Sequence, residues 1–238
     1  MFLLYFLRIR FSRVVFCCSP LPQSSSAASV KGFSISHMRA LLSIGILLWL
    51  AAVGCGVVYL SRYETTPGAR LSPPRGFPAG SRIDRDAGRS ALLFFAHPKC
   101  PCSRASLNEI AKLMPEVEGR LRVYVVLSKP AGASGDWADT GLKASAEKIP
   151  GVTVLVDEDE AETRLFGITT SGTALLYDPE GNLRFQGGVT RFRGQEGDNA
   201  GKSAIAGLVN NNFSETDETA VYGCAINLPG DPAATSTK

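Results

Sequence analysis

Two cysteines separated by a single proline, Cys100 and Cys102, form the pair in this sequence that is best suited to chemistry. The thiolate is the form of cysteine that attacks disulfides and binds metals, and backbone N–H groups at the start of a helix favour it. Pro101 suits the first position of a helix, because the N–H that proline lacks has no partner there. We therefore predict that Cys100 caps a helix and that Cys102 lies in its first turn, with both sulfurs at the positive end.

Three roles are open to this pair. A redox pair would close a disulfide through a tight, strained ring, and strain makes a disulfide easier to reduce. A metal-binding pair would gain a third donor from His97, and copper or zinc accepts a His/Cys/Cys set. Two inert structural thiols are the third possibility, although exposed thiols outside the cytoplasm tend to oxidise. Redox chemistry is the favoured interpretation.

Three further residues have more than one possible role. Cys224 could resolve a mixed disulfide formed by the first pair, add a third sulfur ligand, or stay unpaired in a polar tail. His97 could instead lower a cysteine pKa as a base or charge partner, or simply end a strand with a local hydrogen bond. Lys99 could stabilise a neighbouring thiolate or remain solvated.

Composition argues against several other classes of function. The 238-residue chain has a formal net charge of +3 and no basic stripe interleaved with aromatic residues, so nucleic-acid binding is not indicated. Its six cysteines are too sparse for a disulfide scaffold, and no pair of Cys-x-x-Cys units predicts structural zinc. With two histidines, His37 and His97, a histidine-rich metal cage is excluded.

The apolar pattern predicts the elements that position the cysteines. Leu92 to Ala96 is an apolar run typical of a buried strand, and Leu107, Ile110 and Met114 follow the cysteines at helical spacing. Alternating strands and helices, closed by a hairpin, predict an α/β class with a mixed central sheet flanked by helices. The predicted order is β-α-β-α-β-α-β-β-α, with the later strands at 121–127, 152–156, 173–178 and 183–186 and the later helices at 137–149, 160–166 and 199–211.

The region before the domain contains a predicted membrane anchor. Ala40 to Leu60 has no charged residue and is long enough to cross a bilayer, for which roughly 20 apolar residues suffice. Counted from Met1, the basic residues before this run favour an N-terminus inside, whereas counted from Met38 the flanking charges do not set the orientation. We expect a single-pass anchor in an inner membrane and a domain in the periplasm. A cleaved signal peptide and lipidation at Cys55 are the alternatives. Met38, directly after residues 1–37, is a second candidate start. The predicted parts are an uncertain extension at 1–37, the anchor at 38–61, a Pro/Gly/Arg-rich extended linker at 62–89, the domain at 90–213 and a tail at 214–238.

The predicted domain resembles the thioredoxin-like superfamily over about half of the chain. The resemblance rests on the element order, on the cysteines at a helix start and on Gly167 to Thr173, which is similar to the loop that faces the active cysteines in that family. Asp178 to Asn182 resembles the hairpin turn of its membrane-anchored, periplasmic thiol oxidoreductase branch. Within that branch the chain is most similar to RedB-type proteins, through His97-Pro-Lys-Cys-Pro-Cys102, Gly187-Gly188 and Gly197-Asp-Asn199.

Two departures from that family bear on the site. The family has Cys-x-x-Cys where this chain has Cys-x-Cys, so the nucleophile cannot be assigned by alignment. Gly172 stands where the family has a cis-proline that shapes the substrate groove and keeps metals away from the cysteines. Gly172 and Thr173 are accordingly the expected groove residues, with peptide binding in question.

The resemblance implies a thiol–disulfide oxidoreductase that needs no cofactor, with Cys100, Cys102 and Cys224 as catalytic candidates and cysteine-containing or disulfide-bonded proteins as partners. The alternative is a copper-binding, metallochaperone-like module that uses His97, Cys100, Cys102 and Cys224. A non-catalytic scaffold that keeps only the fold is a third possibility.

Overall fold

The computed structural model describes residues 35–69, 72–86, 88–117 and 119–226. The chain forms two compact units, Met1–Ala51 and Ala52–Lys238. Most of the predicted extension at 1–37, and the end of the tail beyond residue 226, lie outside the described residues.

The first helix is long and largely apolar. Helix α1, Ile35–Thr65, has 31 residues, none of them buried, and an 18-residue window with a mean hydropathy of 2.4. By length and composition it is able to cross a membrane, and it contains the predicted span from Ala40 to Leu60.

A five-stranded mixed sheet organises the second unit. Its strand order is β3-β2-β1-β4-β5; β1, β2 and β3 pair in parallel, and β4 pairs antiparallel with β1 and with β5. This topology confirms the predicted α/β class and the thioredoxin-like fold. The strands are β1 (Ser90–Ala96), β2 (Leu121–Lys129), β3 (Val152–Glu158), β4 (Thr173–Tyr177) and β5 (Leu183–Gly187), and the helices are α2 (Cys102–Val117), α3 (Gly141–Ala146), α4 (Ala161–Leu165) and α5 (Ala200–Asn211).

Strand β1 lies in the middle of the sheet, and both of its faces are buried. Leu92 and Phe94 point into a core shared with α2, α3 and α5, whereas Leu93 and Phe95 point into a second core on the opposite face. This alternation follows from the two-residue period of a strand. Since β4 runs antiparallel to β1, the loop that precedes β4 lies at the carboxyl end of β1, where the cysteines begin.

The helix predicted at 137–149 is shorter than expected. Residues before Gly141 form turns, in which the backbone N–H of Trp137 donates to the Ser134 carbonyl and the backbone N–H of Asp139 donates to the Asp136 carbonyl. The end of α3 precedes Pro150, which disfavours helical backbone at the residue before it.

Residues 72–86, within the predicted extended linker, pack on the domain. The Phe77 ring lies 5.2 Å from the Tyr177 ring and 5.5 Å from the Phe166 ring, centroid to centroid, and Ile83 is buried in the second core. The Tyr177 hydroxyl donates to the Pro74 carbonyl at 2.8 Å. The prolines remove any periodic pattern from this stretch, but single apolar side chains such as Phe77 and Ile83 pack against the domain. Residues 72–86 are therefore part of the folded domain and not an extended tether.

Candidate active site

The Cys-Pro-Cys stretch is held between β1 and α2 by a local turn. Past the end of β1, the His97 N–H donates to Ser171 Oγ at 2.8 Å, and the Cys100 N–H donates to the His97 carbonyl at 3.0 Å. Helix α2 begins at Cys102, one residue later than predicted, so Pro101 lies in the turn and not in the first helical position. Boundaries of this kind shift by a residue because helix ends are short of hydrogen bonds.

The structure brings Cys224 directly to Cys100. Their Sγ atoms lie 3.0 Å apart although the residues are 124 positions apart in the sequence, and neither cysteine is in a disulfide. A covalent S–S bond is about 2.05 Å long, so closing one requires a movement of only about 1 Å. Cys100 is 4% exposed, whereas Cys224 is partly exposed.

The surroundings of Cys100 favour its thiolate. A hydrogen bond donated by the Cys224 thiol, assisted by the hydroxyl and backbone N–H of Ser103, lowers the pKa of Cys100 to about 4 in spite of burial. The same contact raises the pKa of Cys224, which keeps its proton. The predicted helix-start effect therefore acts on Cys100, through the N–H of Ser103.

Cys102 has the opposite character. Burial, followed by the nearby negative charge of Cys100, raises the pKa of Cys102, and the guanidinium of Arg193 opposes that rise only in part. Cys102 is a partly exposed thiol that stays protonated at neutral pH.

The loop before β4 faces the cysteines, as the family resemblance implied. Ser171 carries most of the contacts: its hydroxyl lies 2.7 Å from Ser103 Oγ, and its N–H donates to the Cys224 carbonyl at 2.8 Å. Gly172 has a φ of +94°, a conformation that proline cannot adopt, and its N–H donates to the Phe95 carbonyl at 2.8 Å. Thr173 is fully buried and donates to the Thr170 carbonyl, so its side chain does not line an open groove. The described residues contain no cis peptide bond.

His97 and Lys99 contact one tryptophan. The His97 and Trp137 rings meet edge to face at 5.6 Å, and Lys99 Nζ lies 3.9 Å from the centre of the Trp137 ring. His97 Nδ1 accepts a hydrogen bond from the Lys99 N–H at 3.2 Å. Burial, the main cause, lowers the pKa of His97, so the ring is neutral at pH 7 and brings no positive charge to Cys100.

Arg193 ties the tail to the rest of the site. Its guanidinium donates to the carbonyls of Gly223 and Tyr63, and it also interacts with the Cys102 thiol. Arg193 therefore holds Gly223, the residue directly before Cys224, and its positive charge acts to lower the pKa of the Cys102 thiol.

The donor atoms at this site are not arranged as a metal centre. Within the described residues, no group of three or more His, Cys, Asp or Glu side chains is placed to hold a metal ion. The thiols are soft ligands suited to Cu(I), but the nitrogen of His97 that accepts from Lys99 is engaged.

Sequence reasoning missed Ser171, Arg193 and Trp137. Ser171 stood within the loop singled out by resemblance, and an aromatic residue in the Gly/Ser/Pro-rich stretch before α3 could have drawn attention to Trp137. Arg193 had no such signal, since a single arginine in a loop is ordinary.

Comparison with known proteins shows the fold. No family model and no curated protein sequence matches the chain. Two solved structures match with a TM-score of 0.51: a hypothetical protein of Sinorhizobium meliloti 1021, 19% identical over 69% of this chain and 96% of that one, and an uncharacterized conserved protein of Geobacillus kaustophilus, 14% identical over 70% and 94%. A secreted disulfide oxidoreductase of Mycobacterium tuberculosis matches with a TM-score of 0.36, at 15% identity over 52% of this chain and 81% of that one. At these identities the likeness extends to the fold alone.

Proposed function

We propose that the chain is a membrane-anchored, periplasm-facing thiol–disulfide oxidoreductase of the RedB-type branch, with Cys100 as its nucleophile and Cys224 as its resolving cysteine. The observation that carries the proposal is the contact between the two sulfurs at 3.0 Å, with one held as a thiolate and the other as a thiol. Thiol–disulfide exchange needs a thiolate that attacks and a second thiol close enough to resolve the mixed disulfide.

The reaction has two balanced steps. The Cys100 thiolate attacks one sulfur of a partner disulfide, forms a mixed disulfide and releases the other partner sulfur as a thiolate. Cys224 then gives its proton to the partner thiolate released in the first step, attacks Cys100 Sγ and releases the second partner sulfur as a thiolate. The partner gains two electrons and the chain is left with a Cys100–Cys224 disulfide, without any cofactor. Cys102 is a third thiol within reach of either step.

Mass spectrometry of the full chain tests this assignment. After mild oxidation we expect one reversible disulfide between Cys100 and Cys224, with Cys102 remaining alkylatable. The variant Cys100→Ser should lose exchange with a disulfide substrate completely, and Cys102→Ser should retain most of it. A dominant Cys100–Cys102 bridge would overturn the assignment of the resolving cysteine, and three unreactive thiols would overturn the function.

Copper binding is the second candidate, because the sulfurs of Cys100 and Cys224 lie 3.0 Å apart and Cu(I) is bound by soft thiolate ligands. Titration of the reduced chain with Cu(I) against a strong chelator distinguishes the copper-binding candidate from the oxidoreductase. Uptake that persists when Cys102 and Cys224 are both replaced by serine would exclude a multi-thiol copper site.

The apolar helix α1 supports the proposed location, which is testable in cells. A membrane-impermeant maleimide applied from the periplasmic side should label Cys102 in intact cells, provided that the domain faces outward. Labelling only after lysis would place the domain in the cytoplasm.

A further inference from the structure

The segment that carries Cys224 lies against the active-site loop as an added strand. The Ser171 N–H donates to the Cys224 carbonyl and the Ile226 N–H donates to the Thr169 carbonyl, both at 2.8 Å, and Thr170 pairs antiparallel with Ala225. Val221 and Ile226 are buried at the two ends of the segment, whereas Ala225 between them is exposed. Around the cysteine, this short strand is held mainly by its backbone.

This strand also closes the site. Cys100 is 4% exposed, and Cys224 Sγ occupies the position from which an external sulfur would approach. A partner disulfide must bring its sulfur to bonding distance of Cys100 Sγ, so it cannot react while the segment remains in place.

We propose that Val221–Ile226 is a displaceable internal substrate mimic, and that a partner reaches Cys100 by laying an extended cysteine-bearing strand along Thr169–Ser171 in its place. This inference rests on the proposed function and specifies its partner. The partner's backbone replaces the segment's hydrogen bonds to Ser171 and Thr169, and its sulfur takes the position of Cys224 Sγ. When the partner leaves, the segment returns and presents Cys224 to the mixed disulfide. The bonds that form and break are those of the two steps given above.

The geometry also specifies the residue before the partner's cysteine. Gly223 lies so close to the Ser171 carbonyl that a Cβ there would collide with the oxygen. Any strand in the same register meets the same carbonyl. Partners with glycine directly before the reactive cysteine should therefore be preferred over partners with alanine at that position.

Matched peptides test this preference. The full-length Cys102→Ser/Cys224→Ser variant in detergent micelles is mixed with Val-Tyr-Gly-Cys-Ala-Ile or Val-Tyr-Ala-Cys-Ala-Ile, each activated as a thiopyridyl disulfide. We expect the glycine peptide to release thiopyridone at least 10-fold faster than the alanine peptide. Equal rates would overturn the displacement proposal. Dithiodipyridine, which has no backbone, is the control: if it modifies Cys100, the exchange function stands whichever way the peptides behave, and if no reagent modifies Cys100, both proposals fail.

Hydrogen exchange in the trapped complex locates the peptide. In the mixed disulfide with the glycine peptide, the Ile226 amide should lose its protection, because its acceptor on Thr169 is now used by the peptide. The Ser171 amide should keep its protection, because a peptide carbonyl replaces that of Cys224. An Ile226 amide that remains protected would overturn the proposal.

A variant with all three thiols intact provides an independent measurement. Gly223→Ala should loosen the segment and raise the rate of Cys100 alkylation by iodoacetamide about 10-fold, while Gly80→Ala, at an exposed position with open space around it, should not. Equal rates in wild type, Gly223→Ala and Gly80→Ala would contradict a closing role for the segment.

Discussion

The thiolate of Cys100 depends on a hydrogen bond that another cysteine donates, so the reactivity of one thiol is set by a residue 124 positions away. Ser103 contributes from the start of α2, but the larger effect comes from Cys224. The pKa of about 4 therefore belongs to the closed state, and when the tail is displaced Cys100 keeps only the contribution of Ser103.

Replacing Cys224 by alanine should raise the pKa of Cys100. With the donor present the pKa is about 4, so the thiolate predominates above that value and alkylation of wild-type Cys100 should persist to pH 5. Without the donor we expect the alkylation profile to move up by at least about 1 pH unit, toward the ordinary thiol value of about 8.5. Peptide mass spectrometry after iodoacetamide treatment at several pH values measures this. Cys102→Ala is the control, because Cys102 is not among the groups that lower the Cys100 pKa.

His97 should have little influence on that profile. Its pKa is lowered chiefly by burial, so the ring is neutral at and above pH 6.5, where a charge partner would have to be cationic. Proton NMR, with His97→Asn used to assign the two histidines, should show a titration midpoint for His97 below 6.5. A midpoint above 6.5, or a Cys100 alkylation profile that shifts in His97→Asn, would restore His97 as a charge partner.

Helix α2 is attached to the loop before α5 by a buried carboxylate. Glu109 is fully buried; it accepts from the Gly197 N–H at 3.0 Å and lies 2.8 Å from Lys112 Nζ and 3.2 Å from Lys202 Nζ. These partners outweigh desolvation and lower the pKa of Glu109. The cluster keeps the cysteine-bearing helix and the closing helix in register.

Glu109→Gln should destabilise the domain by about 2 kcal/mol, because it leaves two lysines without their shared buried partner. Urea unfolding at pH 7 measures the difference in the free energy of unfolding. Because the folded pKa is depressed, this stabilisation is fully present above the unfolded value of about 4.3 and is lost as pH falls further. The wild-type advantage should therefore shrink below about pH 4. Glu196→Gln, at an exposed carboxylate of the same cluster, is the control and should have a much smaller effect.

The regular elements were predictable because they bury periodic apolar faces. Leu107 and Ile110 mark α2 and the apolar run in β1 marks the central strand, whereas the Val221–Ile226 segment has no period and pairs with a loop across a long sequence separation. No local pattern encodes such a pairing. For this reason the sequence left three possible roles for Cys224 and did not predict that it contacts Cys100. Residues 72–86 escaped prediction for the same reason, since single side chains such as Phe77 hold them.

For the whole chain, the apolar helix α1 predicts stable association with membranes. A chain that lacks residues 1–65 should be recovered in the soluble fraction, whereas the full chain should stay with membranes after alkaline carbonate washing. The expectation follows from the 31 apolar-rich residues of α1, of which none is buried by the protein. A full chain released by carbonate would indicate a surface-bound or cleaved segment. The oxidised form of each preparation should carry the Cys100–Cys224 disulfide, which shows that the truncated domain is folded.

The long separation between Cys100 and Cys224 gives oxidation a second effect, on the entropy of the unfolded chain. A bond between them closes a loop of about 125 residues that includes strands β2 to β5 and every helix from α2 to α5. Loop-closure theory assigns such a cross-link about 5 kcal/mol of stabilisation, because it removes many conformations from the unfolded ensemble. The oxidised protein should resist urea and proteases far better than the reduced one. Each reduction would then return the domain to its more easily unfolded form, so the lifetime of the protein would depend on the supply of electron acceptors.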